Sequence, residues 1–326
     1  MTLSVSVVII TYARPQFVRT CLEHLGRLTS KPHEIIVVDA SPDDRTKTLV
    51  TEDFPQVRLL RNDLGPGTMP ESRQVGFNAA TGDIVAFIDD DAYVDPDWLD
   101  QLREPYADPA VVGVGGRASN GREGEETEGL GEIGRLLPDG RLTGNFGANP
   151  DRVIEVDHLL GANMSFRRAA LAAIGGIRGN YPGTCLCEES DISLRLKREG
   201  GKLVFQPAAL VRHVAAPYTS GGKRFDRRYL YYARRNHVVL LARVYGWRDP
   251  LLRRYVRSTF RAQNDYVWAM RDRFTARRSD GSRRPFRRRI TAPIVLTRSL
   301  AELTGLMAGF PAAWIARRRD RAAGVV

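Results

Sequence analysis

Apolar positions along the first ninety residues fall into short blocks separated by polar turns, and the period inside each block predicts its structure. Val5–Ile10 is an unbroken β-branched run, the pattern of a strand buried on both faces. Thr11-Tyr12-Ala13-Arg14-Pro15 interrupts it, and Phe17, Cys21, Leu22, Leu25 and Leu28 then recur at helical spacing. Glu34–Val38 is a second strand that ends at Asp39, a helical stretch follows near Thr46–Val50, and Val57–Leu60 is a short third strand. Asn62–Gly67 is turn chemistry, Ser72–Ala80 a helix closed by Gly82, and Ile84–Ile88 a fourth strand running straight into Asp89-Asp90-Asp91. This alternation predicts an α/β fold with a mainly parallel sheet.

Further along, Gly113–Pro150 is rich in Gly, Glu and Asn and is expected to form irregular loops or short edge strands. Arg167–Ile174 and Asp191–Glu199 read as helices stopped by Gly-Gly pairs, with Leu203–Phe205 as a strand and Pro207–Arg212 strand-like before His213. Beyond Gly221-Gly222 the character changes. Arg227–Tyr245 and Leu251–Met270 read as basic amphipathic helices, 271–289 as an Arg-dense linker, and Ile290–Ala316 as a mostly apolar segment. The expected organisation is a catalytic unit over 1–222, with halves near 1–110 and 111–222, and a basic helical region over 223–326.

The aspartate triplet carries the sharpest chemical signal. Three adjacent carboxylates at a strand end repel one another and need a compensating cation, and hard oxygen ligands favour Mg²⁺ or Mn²⁺. In an extended segment Asp89 and Asp91 point one way and Asp90 the other. In parallel sheets ligands lie beyond the carboxyl ends of the strands, where both Asp39 and the triplet fall. Glu188-Glu189-Ser190-Asp191 opens a helix. Two readings of it stand: carboxylates favoured by the helix dipole, or a general base. His213 by itself is a structural histidine as readily as a ligand.

Taken together and in order, these segments resemble glycosyltransferase family 2, over about Ser4–His213. Ser6–Pro15 is similar to that family's opening strand and turn, Ile35–Asp39 to its nucleotide-contacting strand, and Ser72–Asp83 to the segment before its metal motif. Phe87–Leu99, with the trailing Pro96-Asp97-Trp98, resembles the metal motif itself. Gly161–Arg168, which holds Asn163, resembles the sugar-side segment, and Glu188–Arg195 the base-bearing one. The resemblance implies a GT-A nucleotide-diphospho-sugar transferase fold and an inverting, metal-assisted transfer of a sugar to a hydroxyl. It places Asp39 at the nucleobase with Thr11 beside it. It makes Asp89, Asp91 and His213 ligands of Mn²⁺ or Mg²⁺, and Asp90 a lining of the nucleotide site. Glu189 takes the base position, with Glu188 and Asp191 as the next candidates, and Arg73 a phosphate role. The chain departs from the pattern at Ala40-Ser41, at Gln74 and in having Glu-Glu as the acidic pair.

Charge sharpens the division. The chain has 326 residues and a net charge of +11. Residues 223–326 hold 26 Lys and Arg against 7 Asp and Glu, a net +19, so the first 222 carry −8. The acidic front suits a metal site and the basic back an anionic surface. The three cysteines, Cys21, Cys185 and Cys187, make neither a disulfide framework nor a zinc site, and the N-terminus reads as a strand where a signal peptide would have an apolar core. A cytoplasmic location is expected, peripheral to the inner face of a membrane. Arg298, Glu302, Pro293 and Pro311 argue against Ile290–Ala316 crossing a bilayer. It is expected instead to lie on an anionic membrane with Leu296, Leu300, Leu303, Leu306, Met307, Phe310 and Trp314 toward lipid. The alternative is a helical subdomain that buries them against the catalytic unit or a second copy in a homo-oligomer. Expected partners are a nucleotide-sugar donor and a glycan, lipid-linked or small-molecule acceptor. A nucleic-acid binder using Arg with Tyr229, Tyr231, Tyr232 and Tyr245 is the rival from another class, and it leaves the strand-end carboxylates without a role. A nucleotidyltransferase lacks its Gly-rich loop here. A catalytically inactive sugar-nucleotide-binding homologue would have no need of the carboxylate set.

Overall fold

The computed structural model describes residues 2–183, 185–214, 226–275 and 291–325, with backbone alone for 269–275 and 291–295. The expected boundary near residue 222 and most of the Arg-dense linker lie outside the described residues. The front of the chain forms β1 (Val5–Thr11), α1 (Pro15–Gly26), β2 (Glu34–Asp39), α2 (Arg45–Asp53), β3 (Arg58–Arg61), α3 (Met69–Ala79) and β4 (Ile84–Asp89). These strands pair in parallel in the order β3-β2-β1-β4. β1 is buried along its whole length, because helices cover both faces and leave no position for an alternating polar side chain.

The second half follows as β5 (Ala92–Val94), α4 (Trp98–Arg103), β6 (Val111–Ser119), β7 (Ile154–Glu155), β8 (Asn163–Arg167), α5 (Arg168–Ala173), α6 (Glu188–Arg198) and β9 (Lys202–His213). The sheet continues as β4-β8-β6-β9-β5. Here parallel pairing gives way to mixed pairing: β8 runs antiparallel to β4 and β6, whereas β6 and β9 are parallel. Two expectations change. Gly113–Ser119 belongs to an interior strand, where its composition suggested loop or a short edge strand; a Cβ at Gly116 would collide with the Ala209 carbonyl and the Asn163 amide, so small residues are what let β6 fit. The two short apolar stretches near residues 203 and 212 are one strand of 12 residues, irregular opposite Gly116–Ala118 of β6.

The C-terminal region is helical: α7 (Arg227–Val244), α8 (Pro250–Thr275) and α9 (Thr291–Ala322). α9 runs unbroken through Pro311, and Pro293 falls in its first turn, where no N–H is needed. The backbones of α7 and α9 approach closely, since a Cβ at Gly305 would strike the Tyr231 carbonyl. A third hydrophobic core joins Val238–Ala242 of α7 and Leu306 and Ala313 of α9 to Tyr181, Cys187 and Leu194 of the preceding region. The helices therefore share a core with the second half of the preceding unit. Glu302 is buried and accepts hydrogen bonds from Arg234, Gln263 and Arg298. The expected lipid face divides: Leu306 is buried and Leu303 and Phe310 half-buried, whereas Leu296, Leu300, Met307 and Trp314 are exposed. Among the described residues no helix is long and apolar enough to cross a membrane.

Candidate active site

The end of β4 and the start of β5 build the acidic centre. β4 carries Asp89 as its last residue, and Asp90-Asp91 form a tight turn into β5 instead of continuing the extended segment the sequence suggested. The turn still separates the carboxylates. β9 pairs antiparallel with β5, setting His213 opposite Ala92, and the Val214 N–H donates to the Asp91 carbonyl at 3.0 Å. The His213 Nε2 lies 3.4 Å from the Asp91 carboxylate. One ligand atom each from Asp89, Asp91 and His213 lie within 4.8 Å of one another. Two carboxylates and an imidazole suit a hard divalent ion such as Mg²⁺ or Mn²⁺, so the residues present fit the metal that the sequence resemblance implies.

Asp90 turns inward. It is fully buried, accepts from the Thr11 hydroxyl at 2.6 Å and pairs with Arg14, whose Nη1 also reaches Asp91 at 3.6 Å. Burial pushes its pKa up to about 7 against the pull of the Arg14 guanidinium. Arg14 was not among the expected site residues. Its signal was a lone cation three residues beyond the end of the first strand, beside a triple negative charge. Asp39, also buried, accepts from the backbone and hydroxyl of Ser41 and from Arg61 at 3.4 Å. Ser41 is one of the departures from the family pattern, and here it fixes the Asp39 carboxylate.

Arg73 ties the two acidic segments together. It is 1% exposed, donates to Asp89 at 2.8 Å and to the Gly161 carbonyl at 3.2 Å, and forms a close ion pair with Glu188. Its guanidinium is thus engaged by two carboxylates; the family resemblance implied a phosphate role for it. α6 begins at Glu188, with the acidic run in its first turn, from an N-cap residue, Cys187, with left-handed φ of 76°. The three acids of its first turn have different fates. Glu188 faces Arg73, and Asp191 accepts from Tyr181 at 2.6 Å and from Arg195 at 2.5 Å. Among the described residues Glu189 is the member of this trio with no salt bridge. It is half-buried. Burial raises its pKa above the usual carboxylate value; Arg73 opposes the shift and Asp89 reinforces it.

Asn163 is fully committed inside the sheet. Its Nδ2 donates to the carbonyls of Arg117 at 3.0 Å and Ala209 at 2.8 Å, and its Oδ1 accepts from Trp98 Nε1 at 3.0 Å. That arrangement leaves neither amide N–H for a sugar and anchors the buried Trp98. The rival's aromatic residues are also engaged within the protein, with Tyr231 and Tyr232 in edge contact and Tyr245 under Arg198.

The model for glycosyl transferase family 2 matches residues 6–175, just over half of the chain. A glucosyl-dolichyl phosphate glucuronosyltransferase of Haloferax volcanii is 30% identical over 228 residues, 66% of this chain and 71% of that protein. Among solved structures, the mannosyltransferase PcManGT from Pyrobaculum calidifontis, in complex with GDP-Man and Mn²⁺, superposes with a TM-score of 0.59 at 16% identity, over 98% of this chain and 88% of that one. GalNAc-T7 with UDP, GalNAc and Mn²⁺ gives a TM-score of 0.58 at 16% identity, over 92% of this chain and 54% of that one. The fold is GT-A, and the chain belongs to glycosyl transferase family 2. It is a glycosyltransferase.

Proposed function

We propose that the enzyme transfers a sugar from a nucleotide-diphospho-sugar to an acceptor hydroxyl by one displacement with inversion at the anomeric carbon. The observation that carries this reading is the pairing of the Asp89–Asp91–His213 cluster with Glu189, the one acid of its helix turn outside a salt bridge among the described residues. Asp89, Asp91 and His213 would hold the divalent ion, which when bound neutralises the leaving diphosphate. The complexes of the two solved transferases with Mn²⁺ and a nucleotide or nucleotide sugar support that assignment. Asp39, fixed by Ser41 and Arg61, lies on the nucleobase side with Thr11, and Arg14, held from beneath by the buried Asp90, borders the nucleotide. Arg73 keeps Asp89 and Glu188 in place.

Glu189 takes the proton of the attacking hydroxyl. A carboxylate whose pKa burial raises above the ordinary value holds a proton more firmly once it has received it, which is what general-base catalysis asks for. Among the described residues, arginines occupy Glu188 and Asp191, the other two acids of this helix turn, and a single displacement needs no covalent nucleophile.

The acceptor is a lipid-linked glycan or related hydroxyl compound met at an anionic membrane. Leu296, Leu300, Met307 and Trp314 stand exposed at helical spacing along α9. Arg318 lies 5.6 Å from the Trp314 ring centre, and exposed Arg319 and Arg321 follow it. An apolar stripe ending in cations suits an anionic interface. The test of the enzymatic reading is a nucleotide-sugar panel with Mn²⁺, read as released nucleoside diphosphate. Release with one donor, lost on chelation and in Asp91→Asn, is expected; release that survives both would remove the metal cluster from the mechanism.

A further inference from the structure

Both sides of the Glu188-Glu189 pair are held by the C-terminal helices. On one side is Cys187, the left-handed N-cap of α6. Left-handed backbone at a non-glycine residue is costly and persists only where its surroundings enforce it. The Cys187 sulfur lies 4.0 Å from His237 Nδ1 of α7. The His237 ring in turn stacks on Tyr255 of α8 at 4.1 Å, and its Nε2 bonds the Gly140 carbonyl at 2.7 Å.

On the other side is Asp191, one helical step beyond the pair. Arg243 of α7 approaches it at 3.8 Å, and the Arg243 side chain is 4% exposed. The opposite edge of the same guanidinium makes a bidentate pair with Asp320 in the last turns of α9, at 2.7 and 2.8 Å. Asp320 also accepts from Arg178 at 3.4 Å, and Arg178 bonds the Val325 carbonyl at 2.5 Å. A buried chain of alternating charge therefore runs from the first turn of α6 to the end of α9. Removing one member of such a chain leaves its partners buried and uncompensated, so the network fixes geometry as well as charge.

We infer that Arg243 and Asp320 are positioning residues for Glu189, and that the C-terminal helices are a working part of the transfer site. This rests on the reading of Glu189 as the base. The bond to be supported is short and directional, and a displacement of about 1 Å can cost about a hundredfold in rate. Asp320 touches neither the metal cluster nor the acid pair. Its loss should therefore reach the reaction only through α6.

The experiment compares full-length Asp320→Asn, Asp320→Glu, Arg243→Lys and Glu189→Gln under saturating donor, with donor affinity measured by calorimetry in the presence of Mn²⁺. Asp320→Asn and Arg243→Lys should lower kcat about tenfold or more at donor affinity within twofold of wild type, and Asp320→Glu should recover part of the loss. If folded Asp320→Asn and Arg243→Lys turn over as wild type does while Glu189→Gln is inactive, the inference is overturned and the network is structural alone. Near-normal turnover in Glu189→Gln would instead remove the base assignment, and the positioning role with it. Should Asp320→Asn not fold, Arg243→Lys, which keeps the charge, carries the comparison.

Discussion

Asn163 separates a structural amide from a sugar-binding one, and its replacement by alanine has a calculable cost. The side chain makes three hydrogen bonds in a fully buried setting, to Arg117, Ala209 and Trp98. At about 1 kcal/mol net for each bond, plus about 1–3 kcal/mol for the buried indole N–H left unpaired, Asn163→Ala should cost about 4–6 kcal/mol. That is a large part of the roughly 5–15 kcal/mol that keeps a domain folded. At about 2–4 °C per kcal/mol for a unit of this size, the melting temperature should fall by about 10–20 °C. The assay is urea and thermal unfolding of both proteins, followed by donor titration at a temperature where the variant is still folded. A large stability loss with near-normal donor affinity per folded molecule is expected. A variant of wild-type stability that binds donor tenfold more weakly would refute it and return the amide to the sugar.

Three further outcomes follow from the same geometry. Glu189→Gln should lose about a hundredfold or more in turnover while binding nucleotide sugar normally, since a base acts in the transition state; steady-state kinetics beside calorimetry checks this. His237 is buried, and desolvation lowers its pKa to about 4, so the unfolded chain binds the extra proton first as pH falls below the usual histidine value of about 6.5. Its contribution is fully present above that value and is lost progressively down to about pH 4, by about 3 kcal/mol in all; urea titrations at several pH values should show a shallower acid loss in His237→Phe than in wild type. Full-length protein should float with anionic but not neutral vesicles at low salt, and Leu300→Ser with Trp314→Ser should stop it, whereas unchanged flotation or a dimer dissociated by those changes would assign the stripe elsewhere.

Much of the candidate site's placement was legible because it is built from strand ends. A buried strand running directly into charged residues leaves little freedom in where those charges go, and that places Asp39, Asp89 and Asp91 from pattern alone. His213 was legible only through family spacing, because its position depends on the antiparallel pairing of β9 with a three-residue strand too short to read. β6 was hidden by its glycines, whose small size is a packing requirement of the sheet interior and looks like loop in one dimension. The arginines were the main surprise. Sequence supplies their charge but not which buried carboxylate they meet, so the pairs of Arg14 with Asp90, Arg73 with Glu188 and Arg243 with Asp320 emerge only in the folded chain. For the same reason the basic tail looked like a free surface, whereas Arg234, Arg235 and Arg243 point into the protein and the exposed stripe is narrower than the apolar sequence suggested.

The central claim is a single displacement assisted by one base, and stereochemistry tests it most directly. Once a donor is identified, proton NMR of the first product formed, recorded before any anomeric equilibration, gives the configuration at the transferred anomeric carbon. The expected configuration is opposite to that of the donor. A product that retains the donor's configuration would require a second displacement or a front-face path, and would contradict the role given to Glu189.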